Sequence, residues 1–333
     1  MTECVFTLDY EIYGNGAGSL ADLVIQPTKK LAEIFRRFGM PFVVFPEAVE
    51  FQRIEEAGSD PDSGGVRAQL RELRSAGHEI GLHLHPWWAN ARFERGEWLL
   101  DWSERNICSL PLDRVDTIVS RAVDYLRAAL QDPAFVPLSF RSGLWVMQPT
   151  ATISAVLARH GVRLDSSVFR GGRVGELGLD YRSAPADLRA WRFSNDVTVP
   201  DANGSLWEVP IHTEMVPFWR MLGRKRLGLQ KKVPGAAGGT PLPRRWADFA
   251  RFRYPRKLDF CRMTFEEMRA VVERMLRTPT AAPYRAVPVV VIGHSKDLVD
   301  FAAIDRFLNY LRQHDIAVVT FASYLSSQSP TGS

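Results

Sequence analysis

Apolar residues along this chain recur with a helical period and then in short uninterrupted runs, and that alternation is the strongest structural signal in the sequence. Four copies show it: TKKLAEIFRRFG then MPFVVF (28–45), VRAQLRELRSAG then HEIGLHLH (66–85), TATISAVLARHG then VRLDSS (150–167), and FLNYLRQHD then IAVVTF (307–321). In each, an amphipathic helix precedes a run that is apolar on both faces, the pattern of a buried parallel strand. Gly39, Gly77 and Gly161 stand where a left-handed helix cap is wanted. Four more runs, CVFTL (4–8), AFVPLSF (134–140), LWEVPI (206–211) and AVPVVVI (286–292), extend the series, and Thr264 with Glu267 forms a capping box that opens another helix. The pattern predicts an α/β fold, a distorted (β/α) barrel of about seven to eight parallel strands, as a single domain over residues 1–324 with a disordered tail at 325–333.

Residues 212–262 break the alternation with GRKRLGLQKK, PGAAGGTPLP and RRWADFARFRYPRK, which predicts a basic insertion or long loop. Within 220–262, thirteen Lys or Arg stand against Asp248 and Asp259, a net +11 that leaves −7 on the rest of a chain whose total is +4. A basic segment on an acidic body implies an anionic partner at one face. Trp219, Met221 and Trp246 among its charges point to an anionic lipid surface or a pyrophosphate-bearing molecule, with a plain solvated excursion as the alternative. No nucleic-acid motif accompanies it, so nucleic acid is not an expected partner. The first residues carry no basic head, apolar stretch and cleavage site, and no run approaches the ~20 apolar residues of a membrane span. Cys4, Cys108 and Cys261 are widely spaced and odd in number. These features predict a cytoplasmic protein, at most peripheral at a membrane surface.

Side chains at the C-terminal ends of barrel strands converge on one mouth, and the chemically interesting residues fall there. TLDYE presents Asp9 and Glu11 on one face of an extended chain, a pair of carboxylates that is costly without a cation. GHEIGLHLHPWW presents His83 and His85 two apart, again on one face, as neutral imidazoles suited to zinc or a similar divalent ion. Trp87 and Trp88 offer a wall on which a sugar ring can stack. In SFRSGLW, Arg141 can hold a catalytic carboxylate ionised, the backbone N–H groups of Ser142 and Gly143 are oxyanion-donor candidates, and Trp145 is a further substrate contact. Asp165 ends LDSSV, and His294 follows an apolar run in VVVIGHSKD, placed for general-acid duty.

The order of these motifs, TLDYE (7–11), HLHPWW (83–88), FRSGLW (140–145), LDSS (164–167) and IGHSKD (292–297), resembles the polysaccharide deacetylase family, also called carbohydrate esterase family four. The resemblance implies a NodB-like barrel and a hydrolase that uses one divalent metal ion, zinc foremost, to remove an acetyl or formyl group from an N-acylated amino sugar. Carried over, Asp9 becomes the base, Glu11, His83 and His85 the metal ligands, Arg141 the arginine of the third motif and His294 the acid. The chain departs from the family pattern in placing Tyr10 between its two acids, which leaves open whether Asp9 or Glu11 binds metal, and in separating its histidines by one residue. An amidohydrolase-type metal hydrolase and a non-catalytic carbohydrate-binding barrel are the rival readings.

Overall fold

Each of the eight runs expected to be extended contains a strand in the computed structural model, which describes residues 2–222, 228–229, 253–277 and 287–328. In chain order these strands are β1 (Thr2–Tyr10), β2 (Val43–Pro46), the interrupted pair β3 (Glu79–Ile80) and β4 (Leu82–Leu84), β5 (Ser139–Ser142) and β6 (Leu164–Asp165). After an antiparallel addition, β7 (Trp191–Phe193), come β8 (Leu206–Glu208), the ribbon strands β9 (Thr213–Val216) and β10 (Tyr254–Lys257), then β11 (Val287–His294) and β12 (Ala317–Val318). The helices between them include α1 (Gln26–Phe38), α2 (Ala48–Ala57), α3 (Ser63–Ser75), α4 (Leu112–Leu130), α5 (Thr150–Arg159), α6 (Phe265–Arg277), α7 (Phe301–Gln313) and α8 (Phe321–Gln328).

The strands outside the two-stranded ribbons form two five-stranded sheets. One runs β11-β1-β2-β3 with β12 also on β1; the other runs β7-β8-β6-β5-β4, and every pair except β7–β8 is parallel. Isolated parallel bridges join them, Glu47 to His83 on one side and Ile211 to Val290 on the other. Buried apolar side chains form one contiguous cluster, in which Phe6 of β1 packs against Phe35, Phe260 and Phe307. β1 is buried continuously from Cys4 to Tyr10, so the polar Thr7 and Asp9 of its second half face the interior and not solvent.

Local sequence signals act where expected. Gly39, Gly77 and Gly161 all have positive φ at the ends of α1, α3 and α5. Thr264 and Glu267 exchange backbone-to-side-chain hydrogen bonds at the start of α6, at 3.0 and 3.3 Å. Three helices lie outside the repeated pattern, α2, α4 and α8. The longest, α4, has no glycine stop, ending instead at Gln131 in the left-handed region, and α2 follows β2 so closely that VVFPEAVEF reads as a single apolar run. In AFVPLSF the strand starts only at Ser139, because Phe135 N–H closes a turn on the Asp132 carbonyl.

The basic insertion begins and ends in an antiparallel ribbon: β9 pairs with β10 from Thr213–Lys257 to Val216–Tyr254. Most of what lies between, including Trp246, is outside the described residues. Of the expected tail 325–333, residues 325–328 belong to α8, with Leu325 buried, and residues 329–333 lie outside the described residues. No helix among the described residues is long and apolar enough to cross a membrane.

Candidate metal centre and catalytic cleft

Register brings the motifs together. Asp9 on β1 lies level with His294 on β11, and His83 on β4 lies level with Arg141 on β5. Asp9, His83 and His294 open into a cleft of about 530 Å³ that is also lined by Glu11, His85, Trp87, Ser142, Trp145, Lys257 and Lys296, with Arg141 buried behind it.

One half of the cleft is an ion-pair network around Asp9. Arg141, fully buried, donates to Asp9 Oδ1 at 2.7 Å, to Thr7 Oγ1 at 2.9 Å and to the Ser166 carbonyl at 2.9 Å, with its guanidinium over the Phe45 ring. Burial works against ionisation of Asp9, but Arg141, His83 and His294 outweigh it and hold the carboxyl below its ordinary range. His294 Nε2 lies 3.5 Å from Asp9 Oδ2, and its Nδ1 lies 3.8 Å from Asp297, which Arg262 clamps.

The other half gathers Glu11, His83 and His85, whose candidate ligand atoms all lie within 4.8 Å of one another. Glu11 Oε2 is 3.6 Å from His83 Nε2 and 3.4 Å from His85 Nδ1. Three observations fit this trio to a divalent cation. His83 donates Nδ1–H to the Arg141 carbonyl at 2.8 Å, which leaves the Nε2 lone pair facing Glu11. Burial pulls His85 down to about 3, so it is neutral at ordinary pH. Finally, Glu11 Oε2 and His85 Nδ1 are buried with no hydrogen-bond partner among the described residues. Three protein donors leave coordination positions open, as in a catalytic rather than a structural site. Glu11, not Asp9, is therefore the carboxylate brought to the histidines.

Several residues with no sequence signal of their own hold this geometry. Lys296 donates to Glu11 Oε1 at 2.8 Å and to the Ile12 carbonyl at 3.0 Å, which leaves Oε2 for the histidine side. Glu47 accepts from the His85 and Glu50 backbone N–H groups, and Glu50 accepts from the Ile12 N–H at 2.8 Å. Burial, reinforced by the adjacent Glu50 and Glu11 charges respectively, pushes Glu47 and Glu50 well above the ordinary carboxylate range. Their trace in the sequence is a pair of glutamates set in the apolar run VVFPEAVEF. Lys257, arriving on β10, places Nζ 3.0 Å from the centroid of the Trp145 ring, and burial lowers its pKa to about 7.

Three candidates stand differently from expectation, and a fourth, Gly143, has a steric role beside the one expected of it. Trp88 does not line the cleft; it is fully buried in the core, edge-on to Trp98. Trp88→Ala is therefore expected to cost about 3–5 kcal/mol in urea unfolding, whereas Trp87, whose ring lies 4.3 Å from that of His85, is the tryptophan that faces the cleft. The Ser142 N–H already donates to Ser167 Oγ at 2.9 Å and its hydroxyl to the Val146 carbonyl at 2.6 Å, so neither group is free for an oxyanion. Asp165 lies away from the cleft lining and accepts from Ser167 Oγ at 2.7 Å beside the buried Glu208, so it stands behind the site and does not line it. Gly143 is required sterically, because a Cβ there would overlap the His85 ring and the Leu84 carbonyl. Gly143→Ala is accordingly expected to displace His85 and to weaken divalent-ion binding about 10–100-fold, as a competitive chelator titration would measure.

No family model matches the chain, and no curated protein matches it. Solved structures do. A Mycobacterium smegmatis protein assigned as a polysaccharide deacetylase is 14% identical with a TM-score of 0.50, over 98% of this chain and 89% of that one. One from Pseudomonas aeruginosa PAO1 with the same assignment is 12% identical with a TM-score of 0.50, over 98% and 90%. A GH57 branching enzyme of Thermococcus kodakaraensis is 12% identical with a TM-score of 0.57, over 99% and 72%. At such identities the likeness is one of fold.

Proposed function

We propose that this chain is a divalent-metal-dependent hydrolase that removes an acetyl or formyl group from the nitrogen of an amino sugar. The observation that carries the reading is the meeting, in one cleft, of a buried Glu-His-His trio with a carboxylate held ionised by a buried arginine and faced by a histidine. Zinc is the expected ion, from the nitrogen-rich donor set. Bound by Glu11, His83 and His85, it would supply Lewis acidity toward the amide oxygen and the attacking water.

The protein's own groups account for the proton movements. Asp9, ionised by Arg141, takes a proton from water as the new C–O bond forms at the acyl carbon. His294 gives a proton to the sugar nitrogen as the C–N bond breaks, which releases a carboxylic acid and a free amine. The contacts of His294 with both Asp9 and Asp297 orient its ring for that transfer. Trp87 and Trp145 give the sugar two aromatic walls. The basic 220–262 segment supports a lipid-linked or nucleotide-linked substrate, met at an anionic surface or through its pyrophosphate. The buried, unpaired state of Cys4, Cys108 and Cys261 supports a reducing cytoplasmic setting.

The test is acid release from N-acetyl and N-formyl amino sugars, offered free, nucleotide-linked and lipid-linked. Acetate or formate release that stops with a chelator and returns with zinc is the expected result. Release untouched by the chelator would overturn the metal assignment, and new reducing ends without acid release would turn the reading toward glycoside cleavage.

A further inference from the structure

Beside the cleft lies a second cavity of about 380 Å³, lined by Arg170, Gly171, Arg173, Arg182, Met215 and Arg253. Four of these six residues are arginines, three from the chain after β6 and one, Arg253, just before β10. Like charges gathered on one concave wall repel unless an anion joins them, and guanidinium groups fit the paired oxygens of phosphate. Arg182 is committed, holding Asp180 through both Nε and a terminal nitrogen. Arg170 and Arg253 form no ion pair among the described residues, and the Nε of Arg170 is buried without a hydrogen-bond partner there. An oxyanion in the cavity would give these two guanidinium groups the countercharge they lack among the described residues.

The cavity adjoins the cleft. Met215 and Pro255 are register partners on the β9–β10 ribbon. Met215 lines the arginine cavity and Pro255 lines the cleft, so a single rung of the ribbon separates the two. Gly171 packs on this rung, where a Cβ would lie 2.5 Å from Met215 Sδ and 3.7 Å from Pro255 Cβ.

We propose that Arg170 and Arg253, flanked by Arg173 and Arg182, form an oxyanion subsite that holds a phosphate or pyrophosphate group of the same substrate whose acylated sugar lies in the cleft. The substrate class is thereby a phosphorylated amino sugar. That assignment rests on the hydrolase reading of the cleft, whereas the existence of the subsite does not.

The experiment has two arms. In the first, inorganic pyrophosphate is titrated calorimetrically, at low salt and after chelator treatment, into the wild-type chain, an Arg170→Ala, Arg253→Ala double variant and Arg253→Ala alone, whose exposed position leaves the fold unloaded. Binding that weakens about tenfold or more with the arginines removed is expected. In the second, hydrolysis of N-acetylglucosamine 1-phosphate is compared with that of a neutral N-acetylglucosamine oligomer. KM for the phosphorylated substrate is expected to rise about tenfold in the variants, with kcat and the neutral substrate little changed. Wild type that does not bind pyrophosphate, or variants that bind it equally well, overturn the subsite. Arginine-dependent binding with unchanged KM for both substrates overturns the assignment to substrate and leaves free phosphate or a lipid headgroup as the occupant. Arginine-dependent binding by a protein that hydrolyses neither sugar keeps the subsite and overturns the function proposed for the cleft.

Discussion

Replacing both His83 and His85 by alanine is expected to yield a folded chain that retains no divalent ion, where wild type holds about one per chain, and that has no measurable hydrolase activity. Both imidazoles are buried against Glu11, and the remaining protein donor would be a carboxylate whose second oxygen already serves Lys296. A single carboxylate oxygen in water-accessible space holds a transition metal weakly, so the loss should be all but complete. Elemental analysis of metal-replete protein beside the variant, with circular dichroism as the fold control, reads it directly. An equal ion content in both would remove the trio from the mechanism.

A second large effect is expected at Asp9. Asp9→Asn keeps the shape and one acceptor oxygen but cannot take a proton, so kcat should fall by about 10²–10⁴ while metal content stays at the wild-type level. That split between turnover and ion content separates the base from the ligands. The substitution also leaves Arg141 without its anion, and breaking a buried pair by removing one partner costs about 3–5 kcal/mol. Arg141 is fully enclosed, with its other hydrogen bonds going to Thr7 and Ser166, so the charge cannot escape to solvent. Kinetics should therefore be taken well below the melting temperature of the variant, and wild-type turnover there would dismiss Asp9 as the base.

Much of this arrangement was legible before any coordinates. Residues two apart on a strand share a face, so Asp9 with Glu11 and His83 with His85 announce themselves as pairs whatever the fold. Glycines at helix ends and the Thr264–Glu267 box are equally local, and they hold where the sequence predicts them. Strand ends in a parallel α/β fold point to one mouth, which is why Arg141 and His294 could be singled out from single motifs.

The failures have a common cause. Trp88 is adjacent to Trp87, yet the short helical turn at Pro86–Trp88 sends one ring to the cleft and the other into the core. Ser142 and Asp165 sit at strand ends as expected, but both are engaged by Ser167, which Asp165 meets two residues along the chain and Ser142 meets only across the β5–β6 pairing. Glu47, Glu50 and Lys296 shape the site from positions whose residue types are ordinary for a helix start or a loop, and Lys257 reaches it only because β10 folds back along β9.

The sequence by itself determined the period of each element, the caps that end the helices and the residue types that meet at strand ends, because these depend on interactions within a few residues. Only the tertiary structure decided which carboxylate faces the histidines, which tryptophan faces the cleft and that the arginines share a cavity. Asp9 and Arg141 are 132 residues apart in the chain, and contacts at that distance follow from strand register and packing of the whole core, which no local pattern encodes.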